Sequence, residues 1–398
     1  MRIRAAGWGA LAALALAAAP AAAREEGAAA AFPQIAGEID MGLFGIGTFR
    51  AGDRERRGST TFLFGEMAAG LHLSPRFSLQ GLLKFEPAGE VEPGGTHTFL
   101  RHQAAFLKAL YLDWRPHDRL GLFAGKFGAP FGYGHHDFPG VLTAFRAHET
   151  YAVDEALGFG ATWTWLADPR FGEHDISAAV FTLDTTPLSN TVLTRRRCCE
   201  EGFDRFRRNT LHQGGAGNTG RLDNLAIALD GERMPFLPNV SYHLALLSRG
   251  PGKDGTRREW GFAVGARYEV RWTAELRTLF FGEHVEFRNA DGRPLAEPHG
   301  HEAEAAAAPL RETRRFSTLG AQTSHGPWRA TLAWQRDERK RSFNTLPTEN
   351  HLEISVGRSL GWGFGLDAGY QYARYAREDG TAGHSSALIG RLGFRREF

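Results

Sequence analysis

The chain has 398 residues, of which 42% are hydrophobic and 12% aromatic, and 49 are glycine. Its 47 Lys and Arg against 45 Asp and Glu give a formal charge of +2, a balance that gives no reason to expect nucleic acid as a partner. A mean hydropathy of -0.34 does not exclude a membrane protein, because a β-barrel alternates lipid-facing with water-facing positions and averages to mild polarity.

The first 23 residues have the three parts of a secretory signal peptide. Arg2 and Arg4 are positively charged, residues 5–19 are apolar, and residues 21–23 form an Ala-x-Ala cleavage site. The apolar run is shorter than the roughly 18 to 20 residues that a membrane-spanning helix needs. We therefore expect cleavage after Ala23 and export. A short periplasmic segment is expected over residues 24–36, followed by a single barrel domain over residues 37–398.

Beyond residue 37, large apolar side chains alternate with small or charged ones, the pattern of strands with one lipid-facing and one water-facing side. For example, Trp260, Phe262 and Val264 alternate with Gly261 and Ala263. Sixteen strands are predicted near residues 37–50, 59–73, 76–86, 98–115, 119–128, 156–166, 172–184, 220–230, 238–249, 259–269, 272–285, 312–323, 327–338, 350–358, 361–376 and 385–398.

The connections between these strands alternate between short turns and longer polar loops. With both termini in the periplasm, the short set falls on the periplasmic side and the long set outside, as bacterial transmembrane barrels require. A soluble β-sandwich or propeller would also show alternating strands, but would not explain the signal peptide and the alternating connections together. The predicted fold class is all-β, a porin-like transmembrane antiparallel barrel of about sixteen strands.

The longest connection in the N-terminal half joins the fifth and sixth predicted strands. Residues 129–154 contain several Phe and Tyr residues, which argues against disorder, and a long ordered loop is usually functional. Positive charge on or beside this loop comes from Lys126, His135, His136 and Arg146. The alternation fails around the fifth strand, so Lys126 could point to either side of the wall.

Two groups of metal-ligand residue types occur in predicted loops. Cys198 and Cys199 are adjacent, so they cannot join distant parts of the fold; a vicinal disulfide is expected, since a metal site would need two more ligands. His135 and His136, like the stretch 299–302, lack the fixed spacing of a metal site. No resident metal or other cofactor is expected, and metal recruitment by loop histidines stays an alternative.

The last predicted strand ends on an aromatic residue. Leu388, Leu392 and Phe394 share one face, and the chain stops at Phe398. An exposed edge here would invite mispairing, whereas a closed barrel pairs this strand with the first. The ending resembles the terminal strand of bacterial outer-membrane proteins, in which the final Phe is part of an assembly signal. The resemblance implies the outer membrane of a Gram-negative bacterium, with its lipids, lipopolysaccharide and barrel-assembly machinery as partners.

Sixteen strands enclose an aqueous channel, so the charges that face the lumen matter. Strand alternation places basic and acidic side chains on the lumen face. The basic ones are Lys84, Arg267, Arg277, Arg329, Arg391 and Arg395, and the acidic ones are Glu66, Asp113, Glu275 and Asp367. The mixture of signs predicts at most a mild preference between anions and cations.

One stretch resembles a known family. Residues 111–116, Tyr-Leu-Asp-Trp-Arg-Pro, precede the residues 120–132, Leu-Gly-Leu-Phe-Ala-Gly-Lys-Phe-Gly-Ala-Pro-Phe-Gly. This order is similar to that of the phosphate-selective porin O and P family, over about residues 100–165. The resemblance implies a pore, commonly trimeric, for small hydrophilic or anionic solutes. It also implies that the loop 129–154 folds inward, with Lys126, His135, His136 and Arg146 at the constriction. The family's arginine ladder has no residue-by-residue counterpart here.

These features predict a passive diffusion porin that catalyses no reaction. No nucleophile motif such as Gly-x-Ser-x-Gly occurs, which argues against a lipase or protease built on the barrel. Two alternatives remain open: a barrel that recruits cations through loop histidines, and a structural barrel whose loops close the lumen.

Overall fold

The fold was analysed in a computed structural model that describes residues 32–87, 91, 93–134, 138–194, 208–292, 311–342, 346–377 and 379–398. Within these ranges most of the chain is β-structure. One α-helix, α1 (Thr143–Tyr151), lies between two strands.

The strands form one continuous sheet. In chain order they are β1 (Gln34–Ala51), β2 (Gly58–Ser74), β3 (Phe77–Pro87), β4 (His97–Phe99), β5 (Gln103–His117), β6 (Leu120–Phe127), β7 (Ala156–Asp168), β8 (Gly172–Leu183), β9 (Thr191–Thr194), β10 (Asn224–Glu232), β11 (Val240–Arg249), β12 (Glu259–Arg271), β13 (Leu276–Arg288), β14 (Glu312–His325), β15 (Trp328–Arg341), β16 (Glu349–Gly361), β17 (Phe364–Ala376) and β18 (Ala382–Glu397).

The sheet closes on itself. β1 pairs antiparallel with β18 from Glu38 opposite Glu397 to Ala51 opposite Ser385. Beyond the last strand residue, Gly37 N donates to Phe398 O at 2.9 Å and Phe398 N donates to Gly37 O at 3.0 Å. Closure leaves no edge strand, so the backbone donors and acceptors of the wall are satisfied within the sheet.

Two short strands lie outside the sixteen-strand wall. β4 pairs parallel with β2 near one end of the barrel. β9 pairs with Ala104, Ala105 and Phe106 of β5. That part of β5 extends past the end of the shorter β6, which pairs with β5 only from Leu110 to His117. A segment from the connection after β8 therefore pairs with the end of β5 where β6 has stopped.

The predicted fold class and the sixteen wall strands are confirmed. Three predicted strands begin four or five residues later than expected, among them the one predicted at 220–230, which begins at Asn224. The strand predicted at 98–115 begins at Gln103, because Leu100 and His102 adopt positive φ in a turn. The strand predicted at 272–285 begins at Leu276, because Thr273 Oγ1 accepts hydrogen bonds from Glu275 N and Leu276 N. Glu275 thus lies in a turn before β13, outside the strand that alternation assigned to it.

The barrel has two different ends. Short connections join β2–β3, β5–β6, β7–β8, β10–β11, β12–β13, β14–β15 and β16–β17 at one end, here called the turn side. The opposite end, the loop side, carries the other connections, the longer of which are those after β3, β6, β8 and β13. β1 begins and β18 ends on the turn side.

The exterior of the wall is apolar. Large side chains such as Leu332, Leu366, Ile354 and Val264 are exposed there, although their neighbours along each strand are buried towards the interior. A water-exposed belt of this kind would be unfavourable, whereas hydrocarbon solvates it. Among the described residues, no helix is both long and apolar enough to cross a membrane.

The two faces of β15 give a direct test of the lipid-facing side. Leu332 is 51% exposed on the exterior, and the adjacent Thr331 is buried on the interior face. We expect Leu332→Arg to lower the free energy of unfolding in lipid vesicles by about 2–4 kcal/mol, if the position is near the bilayer midplane. The control Thr331→Val, which loses one hydrogen bond from Gln322, should cost about 1 kcal/mol. Urea unfolding followed by tryptophan fluorescence measures both, and a larger loss for Thr331→Val would reverse the assignment of the faces.

Candidate functional site: a loop across the barrel lumen

The connection between β6 and β7 runs through the inside of the barrel. Its residues contact Lys84 of β3 and Glu283 of β13. In the order around the wall, β3 is the third and β13 the eleventh of the sixteen strands, so these contacts lie on opposite sides. The segment 128–155, here called the lumen loop, therefore crosses the interior. This inward path is the one that the family resemblance implied.

Glu283 of β13 fixes the first part of the lumen loop. Its carboxylate accepts hydrogen bonds from Tyr133 N at 3.0 Å and Gly134 N at 2.9 Å, and from the hydroxyl of Tyr151. Next to it, Gly132 N donates to His243 Nε2 at 3.1 Å. Bonds from several donors to one buried carboxylate are charge-assisted and are stronger than neutral hydrogen bonds.

Glu353 of β16 binds the start of α1 in the same way. Val141 N donates to Glu353 Oε1 at 2.5 Å, Leu142 N donates to Glu353 Oε2 at 2.9 Å, and Thr143 Oγ1 donates to Glu353 Oε2 at 3.1 Å. The side chain of Gln335 on β15 donates to Thr143 O at 2.9 Å. A carboxylate at a helix N-terminus also interacts favourably with the free N–H groups there.

Aromatic packing fills the space between the loop and the wall. Phe145 packs on Phe64 with ring centroids 4.9 Å apart, and Phe138 packs on Phe281 at 4.7 Å. Further ring contacts join Phe131 to Phe287 and Tyr151 to Phe316. The loop is thus a packed element of the interior, held by apolar contacts as well as by hydrogen bonds.

The end of the lumen loop lies in a buried network of charges. Lys108 of β5 is 2.8 Å from Glu66 Oε1 and 3.4 Å from Asp154 Oδ1. Lys84 of β3 is 2.8 Å from Glu86 Oε2 and contacts His148 Nε2. Each buried charge in this network lies beside a charge of opposite sign. Removing one partner would leave the other buried and uncompensated, which is strongly destabilising.

Potential metal ligands also meet in this network. Ligand atoms of Glu86, His148 and Glu149 lie within 4.8 Å of one another. The ammonium group of Lys84 already contacts two of the three, Glu86 and His148. A cation is therefore already present where a metal ion would bind, and this group is better explained as an anchor for the loop.

Arg146 projects from α1 towards β16 and β17. Its guanidinium donates to Gln371 Oε1 at 3.2 Å and is 3.3 Å from His351 Nε2. The side chain is partly buried, whereas Glu149 of the same helix is exposed, so the charges of α1 that solvent can reach are of both signs.

Lys126 lies in a different environment from Arg146. It is fully buried, and its ammonium is 3.0 Å from Asp184 Oδ2 and 3.3 Å from Glu155 Oε1 and donates to Leu188 O at 2.9 Å. Its partners across the sheet are Leu110 and Leu157. Because three oxygens surround this ammonium and no solvent reaches it, we leave Lys126 out of the constriction set proposed below.

Several predicted residues lie outside the described residues. These are His135 and His136 of the lumen loop, the histidines at 299 and 301, Cys198 and Cys199, and the signal peptide. Their expected roles stay predictions.

The predicted lumen charges share the inward strand face and form ion pairs. At the turn side five pairs line the lumen and are here called the turn-side ring: Asp113–Arg115, Glu269–Arg277, Arg329–Asp367, Asp40–Arg391 and Glu38–Arg395. Arg267 lies further in, over the ring of Tyr133. Lys84 belongs to the buried network described above.

Within the turn-side ring the arginine is generally the more exposed partner. Arg277 is 60% exposed against 26% for Glu269, and Arg329 is 28% exposed against 10% for Asp367. The same order holds for Arg115 and Arg395, and only the pair of Asp40 and Arg391 reverses it. The ring therefore presents guanidinium groups to the lumen and keeps most carboxylates behind them.

The sequence did not point to the residues that hold the loop. Glu283 and Glu353 are single acidic residues in alternating strands, and no spacing distinguishes them from other lumen charges. Their loop partners lie about 150 and 211 residues away in the chain, for Tyr133 N and Leu142 N respectively. Strand alternation would have assigned both to the interior, but could not have identified their donors.

The fold is shared with solved outer-membrane proteins. The outer membrane channel DcaP of Acinetobacter baumannii is 12% identical, with a TM-score of 0.51 over 91% of this chain and 96% of that one. OmpF of Salmonella typhi, solved as a complex with daunomycin, is 9% identical, with a TM-score of 0.55 over 91% of this chain and 97% of that one. The sequence matches no protein-family model and no curated protein. At these identities the likeness establishes the barrel fold alone.

The carboxylate contacts of the lumen loop can be tested one at a time. Replacing Glu283 by Gln removes the negative charge that three donors share, and we expect the opening free energy of the loop to fall by about 2 kcal/mol. Amide hydrogen exchange at Tyr133 and Gly134 should then be about thirty-fold faster. The control Glu269→Gln changes a lumen carboxylate whose ion-pair partners are Arg271 and Arg277. Equal exchange rates in both variants would contradict the role of Glu283.

Proposed function

We propose that the chain is an outer-membrane porin, a passive channel for small hydrophilic solutes with a mild preference for anions. Three features support a channel: sixteen strands, an apolar exterior and a charged, water-accessible interior. Barrels of this size enclose an aqueous lumen. The lumen loop narrows that lumen, and its helix α1 carries the partly buried Arg146 and the exposed Glu149. His135 and His136 remain proposed members of the constriction.

The turn-side ring is the observation that carries the anion preference. Each pair is neutral as a whole, so the field in the lumen is that of oriented dipoles and is weaker than that of free charges. The exposed guanidinium groups nevertheless face the path of a solute and suit carboxylates and phosphates. Exposed guanidinium groups favour anions, as the resemblance to phosphate-selective porins implies. Because each arginine is paired with an acidic residue, the proposed preference for anions is weak. No reaction is proposed for the barrel.

A closed structural barrel is the second candidate, and the packed lumen loop is the observation that favours it. A loop fixed at Glu283, Glu353 and Lys84 spans the lumen and leaves less room for solutes. Single-channel recording in planar bilayers separates the two, because a closed barrel gives no conductance steps. A metal-recruiting barrel depends on the loop histidines His135, His136, His299 and His301, and metal titration of their alanine variants tests it.

Assembly is part of the same proposal. Phe398 forms two backbone hydrogen bonds with Gly37, so it takes part in closing the barrel. We propose that it also serves as the signal for the barrel-assembly machinery, which deletion of Phe398 and measurement of membrane insertion in cells would test. A homotrimer in a lipopolysaccharide-containing membrane is the expected assembly, and native gel electrophoresis measures it.

Removing the lumen loop should widen the channel. Deletion of residues 133–148 takes away the backbone donors bound by Glu283 and Glu353 and the aromatic packing of Phe138 and Phe145. We expect single-channel conductance to rise by a factor of about two or more, because the narrowest section limits the current. Fast migration on unboiled gels controls for a folded barrel. Unchanged conductance in a folded variant would mean that the loop does not limit the path.

Charge reversal should change selectivity without closing the channel. We expect Arg277→Glu, in the exposed half of the turn-side ring, and Arg146→Glu, on α1, to shift the reversal potential in a KCl gradient towards cations. The control Arg358→Glu reverses an exposed charge on the exterior face of β16, over the ring of Trp328. An equal shift in the control would show that lumen charges do not set the preference.

A further inference from the structure

A row of charges crosses the exterior of the barrel on the loop side. It runs Arg288, Glu286, Arg315, Glu338, Arg336 over three neighbouring strands, and is here called the exterior charge ladder. Glu286 joins the first two arginines, at 2.8 Å from Arg288 Nε and 2.7 Å from Arg315 Nε. Glu338 contacts Arg336 and lies 4.0 Å from Arg315.

The ladder is on the membrane-facing side by strand alternation. On β13 its residues alternate with Glu283, Val285 and Phe287, which are buried towards the lumen. Across the sheet Glu286 is opposite Phe262, and Arg288 is opposite Trp260, both exposed exterior residues of β12. Charged side chains thus stand at the level where the neighbouring strand is still apolar. Charges are costly beside hydrocarbon, so such positions are usually retained for a ligand or an interface.

The ladder presents positive charge to its surroundings. Arg288 is 65% exposed, whereas Glu286 is 17% exposed. Arg315 and Arg336 are also more exposed than Glu338. Lys340 adds an exposed cation to the exterior face of β15. The Nε of Arg336 is buried without a hydrogen-bond partner among the described residues, so one donor of the ladder is unsatisfied.

An apolar groove lies directly beside the ladder. It has a volume of about 460 Å³, and exterior side chains of β10, β11 and β12 line it, among them Ile227, Leu244, Leu246 and Val264. His284, Glu286 and Arg288 form its edge. A second hollow of about 240 Å³ continues from His284 to Arg315 and Arg336. The exterior therefore offers an apolar recess that opens onto a basic one.

We propose that the ladder and the groove bind one molecule of lipopolysaccharide, with an acyl chain in the groove and a sugar phosphate on the arginines. A ligand for both parts must be amphiphilic and anionic, and arginine forks match phosphate oxygens bidentately. The loop side faces outward in the proposed orientation, which is the leaflet where acylated sugar phosphates are found. The inference rests on the proposed outer-membrane location and is independent of whether the channel conducts.

The test measures lipid binding to the purified full-length barrel by native mass spectrometry. The probes are diphosphoryl lipid A, dephosphorylated lipid A and inorganic phosphate. We expect the double variant Arg315→Gln, Arg336→Gln to weaken binding of diphosphoryl lipid A by about tenfold or more, because charge-assisted bonds are lost. Val264→Trp should fill the groove and weaken both acylated probes. The control Arg358→Gln, an exterior arginine over Trp328 on the turn side, should leave all affinities unchanged.

Several outcomes would overturn the site. If dephosphorylated lipid A binds as tightly as diphosphoryl lipid A, the arginines do not recognise the phosphates. If every variant binds lipid A as tightly as the unmodified barrel, the lipid binds elsewhere. Binding of inorganic phosphate as tight as that of lipid A would indicate a site for a soluble anion. Loss of an oligomer in the double variant, without lipid binding by the parent, would identify an interface between copies of the chain. If the double variant does not fold, lipid binding by Val264→Trp and by the conservative Arg315→Lys still tests the site. Absence of conductance with lipid binding intact would contradict the channel alone.

Discussion

Closure of the sheet is the constraint on which the rest of this structure depends. Hydrocarbon offers no hydrogen bonds, so every backbone group of a membrane wall needs a partner within the protein. The antiparallel pairing of β1 with β18 supplies the last set, out to the reciprocal bonds between Gly37 and Phe398. Once the ring is closed, alternate side chains must face inward, and this gives the lumen its polar and charged lining.

The interior then has to satisfy a second backbone, that of the lumen loop. A segment without regular pairing carries free N–H groups, which are costly if buried alone. Glu283 and Glu353 each accept two of these N–H groups, and α1 gives the rest of the segment internal hydrogen bonds. Two acidic side chains of the wall thus accept hydrogen bonds from the backbone of the loop, as the carbonyl groups of neighbouring strands do within the wall. The turn-side ring and Arg146 add further paired charges to the inner side of the wall.

The fold could be predicted from the sequence because its signals are local and repeated. Alternation over residues such as Trp260, Phe262 and Val264 identifies a strand and both of its faces, and the turns between strands give their order. Local reasoning failed where the repeat is interrupted. Gly125 adopts a φ of +137° beside Lys126, in the strand where alternation could not choose a face for the lysine. Contacts such as that between Glu353 and Leu142 depend on the closed ring and on the path of the loop, and no short stretch of sequence contains them.

The pairing of β9 with β5 has a consequence for anyone who would use this barrel as a scaffold. Surface loops of barrels are attractive places to insert foreign peptides, since most tolerate changes in length. The connection after β8 is different, because Thr191, Leu193 and Thr194 supply the partner strand for Ala104 to Phe106, and Leu188 O binds the buried Lys126. An insertion within residues 188–194 would disturb both of these contacts. The connection between β17 and β18, which joins two strands already paired along their whole length, is the safer place for such an insertion.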